Sequence, residues 1–371
     1  MDQFRVTRVN SLAVFSAWLF IFWLVLSGMP VNAWAKKKQQ NSGALLNAFP
    51  ILMYDSDIGF GFGGKGVLKN YFQQRESFDL TLFASSKGEQ WYAFQFSLPD
   101  YELRQGSAYR LAWDLKVEWD KLLKSNYFGI GNDTRDNEYQ FPREFFKIEQ
   151  TLGHAFSPTW IVEGVIRFTH YSVYDYELNW GTISPEIPGA QENSVSLLGV
   201  NLRYDSRDSQ IHPHRGMRLM LSAGQALPPL GSDWNFTAYR MEWSTYREIL
   251  PGHIVALRWW MQQVKGVAPY QELSKIGDSW TARGYKADRF LDKAMTLASL
   301  EYRFPLYKTL GGVVFTDAGR VMEKIQKLTM NNWHTNWGWG LRYYLTNFVV
   351  RFDMGISREG SRIFFNFGHV F

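Results

Sequence analysis

The stretch Trp337-Gly338-Trp339-Gly340-Leu341-Arg342-Tyr343-Tyr344-Leu345 decides the fold class. Successive side chains of a β-strand point to opposite faces, so Trp337, Trp339, Leu341, Tyr343 and Leu345 share one side and Gly338, Gly340, Arg342 and Tyr344 the other. The next run, Val349 to Ser357, repeats the division: Val350, Phe352, Met354 and Ile356 oppose Arg351, Asp353, Gly355 and Ser357. A bulky apolar face beside one of glycine and charge suits a transmembrane barrel, with lipid outside and a polar lumen inside. A soluble β-sandwich would bury its apolar sides against each other and show water a polar exterior.

Other segments carry the same pattern. Met217, Leu219, Leu221 and Ala223 share a face against Arg218 and Ser222. Such runs begin near Pro50, Gly59, Phe78, Gln90, Ala108, Arg143, Thr159, Val195, Arg215, Asn235, His253, Ala294, Gly311, His334, Val349 and Ile363, separated by polar, Gly or Pro turns. The reading is an all-β, transmembrane antiparallel β-barrel of about sixteen strands, an even number as closure in antiparallel register requires.

Composition agrees. The chain is 46% hydrophobic, 17% aromatic and 20% charged, which is neither disordered nor a multi-helix membrane protein. Sixteen Trp, 19 Tyr and 28 Phe exceed what a soluble core needs and fit interfacial girdles. Cysteine is absent, which excludes disulfides, thiolate metal sites and a cysteine nucleophile. The net charge of +5 comes from Lys and Arg scattered among acidic residues, so no nucleic-acid partner is expected.

At the N-terminus, Arg5 and Arg8 precede an apolar run from Leu12 to Leu26 and then Ala33-Trp34-Ala35. That order is a secretory signal peptide over residues 1–35, cleaved after Ala35. Its apolar core is about 15 residues, short of the roughly 20 a membrane-spanning helix needs. Export would place the mature chain in the outer membrane, with lipid as its first partner.

At the other end Phe365, Phe367 and Phe371 are expected on one face, with His369 between the last two. An aromatic residue closing an amphipathic strand resembles the terminal signal through which barrels meet the barrel-assembly machinery. Short turns such as Asp55-Ser56-Asp57 and Arg75-Glu76-Ser77 are expected on the periplasmic side, and the longer Tyr176 to Ser194 outside the cell. Val267 to Lys293 has no evident helix or strand pattern and carries Thr281-Ala282-Arg283-Gly284-Tyr285. A loop that long in a compact domain is functional or disordered.

Further strings join these: Phe49-Pro50, the Ile58 to Gly64 glycine repeat, Tyr127-Phe128-Gly129-Ile130-Gly131-Asn132, and Asp205-Ser206-Arg207-Asp208 with Pro213 and Gly216. Then follow Leu300-Glu301-Tyr302-Arg303-Phe304-Pro305 and Phe315-Thr316-Asp317-Ala318-Gly319-Arg320-Val321. In this order, with Ala282-Arg283-Gly284-Tyr285 and the Phe371 ending, they resemble the barrel domain of the outer-membrane assembly and two-partner-secretion superfamily, the BamA/TamA-type bacterial surface antigens.

The resemblance implies a bacterial surface antigen type barrel over residues 49–371, with the Arg-Gly-Tyr motif on an inward-folded loop between the eleventh and twelfth strands. It also implies a loop lock in which Arg283, Gly284 and Tyr285 meet the wall at Glu301 and Asp317. Parity supports Glu301, which shares a face with Ser299 and Arg303; Asp317 would share its face with Val313 and Phe315. A guanidinium offers a rigid fork of donors able to grip two carboxylates, and glycine lets the backbone approach the wall.

Members that insert or export proteins carry periplasmic polypeptide-transport-associated domains before the barrel. Only the segment 36–48 precedes the first expected strand, so a separate periplasmic protein would have to supply that function. The expected role is noncatalytic: outer-membrane protein insertion, translocation or envelope organisation, the lumen gated by the Arg283 loop. The alternative is a passive diffusion pore. No G-x-S-x-G elbow is present, His212 and His214 read as solvated turn residues, and the Asp55/Asp57 and Asp205/Asp208 pairs as turn carboxylates. No cofactor, metal or catalytic residue is expected.

Overall fold

The computed structural model describes residues 43–136, 139–173, 186–345 and 348–371. The signal peptide expected over residues 1–35 lies outside the described residues, as does the first part of the Tyr176 to Ser194 connection. The strands run in chain order as β1 (Leu45–Asp55), β2 (Gly59–Lys69), β3 (Ser77–Ser85), β4 (Gln90–Leu98), β5 (Tyr109–Tyr127) and β6 (Tyr139–Ala155). They continue as β7 (Trp160–Val173), β8 (Asn193–Asp205), β9 (Arg215–Ala226), β10 (Asn235–Leu250), β11 (His253–Val267), β12 (Ser274–Ile276) and β13 (Phe290–Asp292). Last come β14 (Ala294–Tyr307), β15 (Leu310–Met322), β16 (His334–Tyr344), β17 (Val349–Ser357) and β18 (Gly360–Phe367).

Among the described residues, sixteen of these close an antiparallel barrel, each paired with its sequence neighbours, with β11 beside β14 and β1 beside β18. β12 and β13 form a separate two-stranded sheet inside the long loop. That hairpin is absent from the sequence reading because three-residue strands are too short to show a period of two. The first barrel strand starts at Leu45, four residues before Phe49, so the end of the expected 36–48 segment already belongs to the barrel.

The alternation explains the closure. In β16, His334, Asn336, Gly338, Gly340 and Arg342 are buried while Thr335, Trp337, Trp339, Leu341 and Tyr343 are exposed. A polar residue buried this way faces the lumen, and an exposed tryptophan faces lipid. Lumenal charges are met by partners on the same face: Lys147 with Glu118 at 2.5 Å, Arg203 with Glu163 at 2.8 Å, Arg240 with Glu242 at 2.6 Å. Charge inside a membrane protein is tolerated when it lines a cavity and is paired.

Successive connections of an antiparallel meander alternate between the two ends. The connections after β5, β7, β11 and β15 therefore share an end with the β1–β2 turn, and the tight β10–β11 and β14–β15 turns lie at the other. Longer loops mark the extracellular side. This corrects one expectation: Asp55-Ser56-Asp57 lies at the extracellular end, opposite Arg75-Glu76-Ser77, because its position in the meander, not its length, sets the side.

Candidate functional site

The connection from β11 to β14 folds into the barrel. One reason is a matched apolar patch: Ile276, Ala282, Tyr285 and Phe290 of the loop pack with Met295, Leu297 and Val321 of β14 and β15. On those strands the inward positions change character along their length, from apolar at Met295, Leu297 and Val321 to charged at Glu301 and Asp317. The loop thus meets an apolar pad first and a charged layer deeper in.

In that layer Arg283, Glu301 and Asp317 are all completely buried. Arg283 Nη1 donates to Glu301 Oε1 at 2.6 Å. Its Nε and Nη2 both bond the Asp317 carboxylate at 3.0 Å, and its backbone N–H reaches Asp317 Oδ2 at 3.3 Å. The guanidinium carbon lies 3.4 Å from the centroid of the Phe315 ring. Burial alone would depress this guanidinium's pKa, but Asp317, Glu301 and Asp353 outweigh it and raise it, so the group is a permanent cation.

The motif's other residues are placed as tightly. A Cβ on Gly284 would lie 2.6 Å from Asn336 Cβ and 2.8 Å from Ser357 Cβ. Close approach therefore explains the glycine; its φ is not in the left-handed region. Ser357 Oγ donates to the Gly284 carbonyl at 2.7 Å, and Tyr285 Oη donates to the Thr335 carbonyl at 3.1 Å.

The sequence left out much of this layer. Asp353 of β17 accepts from Arg283 Nη1 at 3.4 Å, Arg342 Nη1 at 2.5 Å and Arg351 Nη1 at 3.4 Å. Arg303 Nε donates to Glu301 Oε2 at 2.8 Å, and Asn336 Nδ2 to Asp317 Oδ2 at 3.0 Å. The loop is thereby joined to β14, β15, β16 and β17. The available signal was the shared inward face of Arg342, Arg351 and Asp353, which the alternation displays although no motif marks it.

The C-terminal residues divide. Phe365 and Phe367 lie on the outer face of β18, between buried Phe364 and Asn366. Phe371 does not join them, which corrects the expected common face. Gly368, at φ +80°, ends the strand and turns the last residues into the lumen. There Phe371 packs with Tyr246, Ile254, Ala256 and Val370, and Arg303 Nη2 donates to its carbonyl at 3.1 Å. His212 is likewise not a solvated turn residue: its Nδ1 is 3.2 Å from His369 Nε2, and its ring rests 4.1 Å from that of Tyr344.

Among the described residues, the strand register at the β1–β18 seam joins Tyr54 with Phe365 and Asp55 with Phe364, next to the extracellular end, and no other pair. By contrast β1 pairs with β2 along its whole length, from Leu45–Lys69 to Asp55–Gly59. Asp57, in the β1–β2 turn, accepts from the Ala287 backbone N–H at 2.8 Å and from Arg362 Nη1 at 3.1 Å. It is no ordinary turn carboxylate.

Comparison with known proteins places these features. The Omp85 superfamily domain matches residues 70–371. The outer membrane protein assembly factor BamA of Nitratidesulfovibrio vulgaris is 24% identical over 297 residues, covering 76% of this chain and 34% of that protein. The chain thus spans about a third of that relative's length. Among solved structures, BamA from Haemophilus ducreyi lacking POTRA domains 1-3 aligns with a TM-score of 0.63 at 14% identity, over 88% of this chain and 70% of that one. CdiB from Escherichia coli aligns with a TM-score of 0.64 at 13% identity, over 90% and 63%. CdiB from Acinetobacter baumannii aligns with a TM-score of 0.57 at 12% identity, over 87% and 59%.

Proposed function

The chain belongs to the Omp85 superfamily and is a bacterial outer-membrane β-barrel; from that premise we propose that it inserts or translocates polypeptide at the outer membrane through the β1–β18 seam. The Arg283 loop acts as the lock of the lumen. The carrying observation is the seam, whose strand register, among the described residues, is Tyr54–Phe365 and Asp55–Phe364, with Ser56 bonded to Ile363 just beyond at the extracellular end. Among the described residues, the part of β1 below them has no strand partner on the β18 side. An unpaired strand edge is a template for another chain. The similarity to the outer membrane protein assembly factor of Nitratidesulfovibrio vulgaris supports the same reading. The role is noncatalytic, and the signal peptide over residues 1–35 serves export.

A disulfide across the seam tests this. Extending the register places Leu52 opposite Phe367, so Leu52→Cys with Phe367→Cys would staple β1 to β18 below the natural pairs. Trp339→Cys with Met354→Cys, already paired across β16 and β17, is the control staple. In proteoliposomes supplied with a urea-unfolded small outer-membrane barrel, the seam staple should abolish insertion until reduced, and the control should not. Full insertion by the oxidised seam staple would overturn the proposal. Conductance through the stapled protein with no insertion by any form would favour the diffusion pore.

A further inference from the structure

The few residues that join β1 to β18 lie beside a part of the loop that the Arg283 contacts do not involve. Past Asp55, Ser56 continues the seam: its N–H and Oγ reach the Ile363 carbonyl at 3.2 and 3.1 Å, and Ile363 N–H returns to Ser56 Oγ at 3.0 Å. Directly beyond sits Asp57. One carboxylate oxygen accepts from the loop backbone at Ala287, and the other from Arg362 of β18. A single side chain on the β1 side thus holds both the loop and the opposite strand.

The loop also grips the β18 side. Arg289, almost fully buried, donates through Nε to Glu359 Oε2 at 2.8 Å in the β17–β18 turn. Its remaining nitrogens bond Thr134 Oγ1 and the Thr134 carbonyl, both at 2.9 Å, and its guanidinium lies over the Phe128 and Phe290 rings. Glu359 is tied back to the Arg-Gly-Tyr motif, because Ser357 Oγ accepts from the Glu359 N–H at 3.1 Å while donating to the Gly284 carbonyl. The path Gly284, Ser357, Glu359, Arg289 runs without a gap from the lumenal lock to the top of the seam.

We propose that residues 287–289 form a latch across the extracellular end of the β1–β18 seam, with Asp57 as its shared acceptor, so that loop withdrawal and seam parting are one coupled transition. The inference rests on the seam-exit reading for its purpose, but not for its geometry. Asp57 is a positioning residue: it joins the loop to β18 and touches no client. A charge-assisted hydrogen bond contributes more than a neutral one, and both of its bonds reach groups that part when the seam opens.

Hydrogen exchange of the intact protein in detergent or nanodiscs tests the latch. Asp57→Ala should speed amide exchange at 54–56 and 363–365 about tenfold, and Arg289→Gln should do the same through Glu359. Amides of β16 and β17 around Arg342 and Asp353 should keep wild-type rates, which also shows that the variants fold. Arg283→Ala should speed exchange at both places, and adding Asp57→Ala to it should produce less than the product of the single effects at the seam. Unchanged exchange at 54–56 and 363–365 in both Asp57→Ala and Arg289→Gln overturns the latch, whatever the seam disulfide does to insertion. Faster seam exchange in a protein whose insertion ignores the seam disulfide upholds the latch and removes the seam-exit reading instead.

Discussion

Gly355 of β17 faces the carbonyl of Arg283 so closely that a Cβ on Gly355 would stand 2.2 Å from that oxygen. The loop can lie against the wall only because both surfaces give up a side chain there, Gly284 on the loop and Gly355 on the strand. Gly355→Ala must therefore lift the loop backbone or bend β17, and either movement lengthens the Arg283 bonds beneath. We expect a cost of roughly 1 to 3 kcal/mol, typical of overpacking. Differential heat-modifiability on semi-native gels reads it as a lower unfolding midpoint. A wild-type midpoint would show that the loop does not depend on this contact.

Removing Arg283 leaves Glu301 and Asp317 buried with one fewer cation. Breaking a buried pair from one side costs about 3 to 5 kcal/mol, because the abandoned charge stays desolvated. Arg283→Ala should lower the heat resistance of the folded barrel, and Arg283→Lys should restore little, since a single ammonium cannot reproduce the fork held on Asp317 and Glu301. Equal midpoints for Arg283→Lys and wild type would contradict a lock built on that geometry.

Asp353 makes the same argument from β17, two strands along the wall from Asp317. It accepts from three guanidinium groups, those of Arg283, Arg342 and Arg351. Asp353→Ala should therefore destabilise as much as Asp317→Ala, about 3 to 5 kcal/mol by the same measure. A much smaller effect would confine the lock to β14 and β15.

How far the sequence reveals these residues depends on the kind of order that makes them. Alternation is local, so strands such as β16 and β17 show it, and the starts expected at His334 and Val349 coincide with theirs. Glu301 reads as lumenal from parity with Ser299 and Arg303. Asp353 shows the right parity too, but its role depends on Arg283 being near, a relation across 70 residues that no period encodes. Asp57 is misassigned to the periplasmic side because turn length is only a statistical guide to sidedness. Phe371 is misplaced because one glycine in the left-handed region overrides the alternation leading to it.

His212 supplies a pH dependence at the periplasmic end. Burial first, then His214 and Arg303, push its pKa from 6.5 down to about 4, against the pull of Asp208. The folded protein thus keeps His212 neutral where the unfolded chain would protonate it. Above pH 6.5 the group contributes nothing to the dependence; between 6.5 and about 4 stability falls as pH falls, and below about 4 the loss levels off. The ring is partly exposed, so the total should be about 1 kcal/mol after solvent screening. His212→Gln should flatten this portion of the midpoint-against-pH curve, and an unchanged slope would assign it to other groups.

Phe371 distinguishes a signal read during biogenesis from a part of the finished barrel. Its ring packs on Tyr246 and Ile254 beneath the Arg258 and Arg303 guanidinium groups, with cation-to-centroid distances of 5.0 and 5.6 Å. Truncating a buried phenylalanine costs about 3 to 5 kcal/mol in a close-packed core, and less where water can enter the space. Phe371→Ala, refolded from urea into detergent so that no assembly machinery takes part, should have a lower unfolding midpoint than wild type. Phe367→Ala, which changes a side chain facing lipid, should fall less. If Phe371→Ala refolds to the wild-type midpoint and loses only its yield in cells, then the residue serves assembly alone, and its lumenal contacts contribute nothing measurable to the folded state.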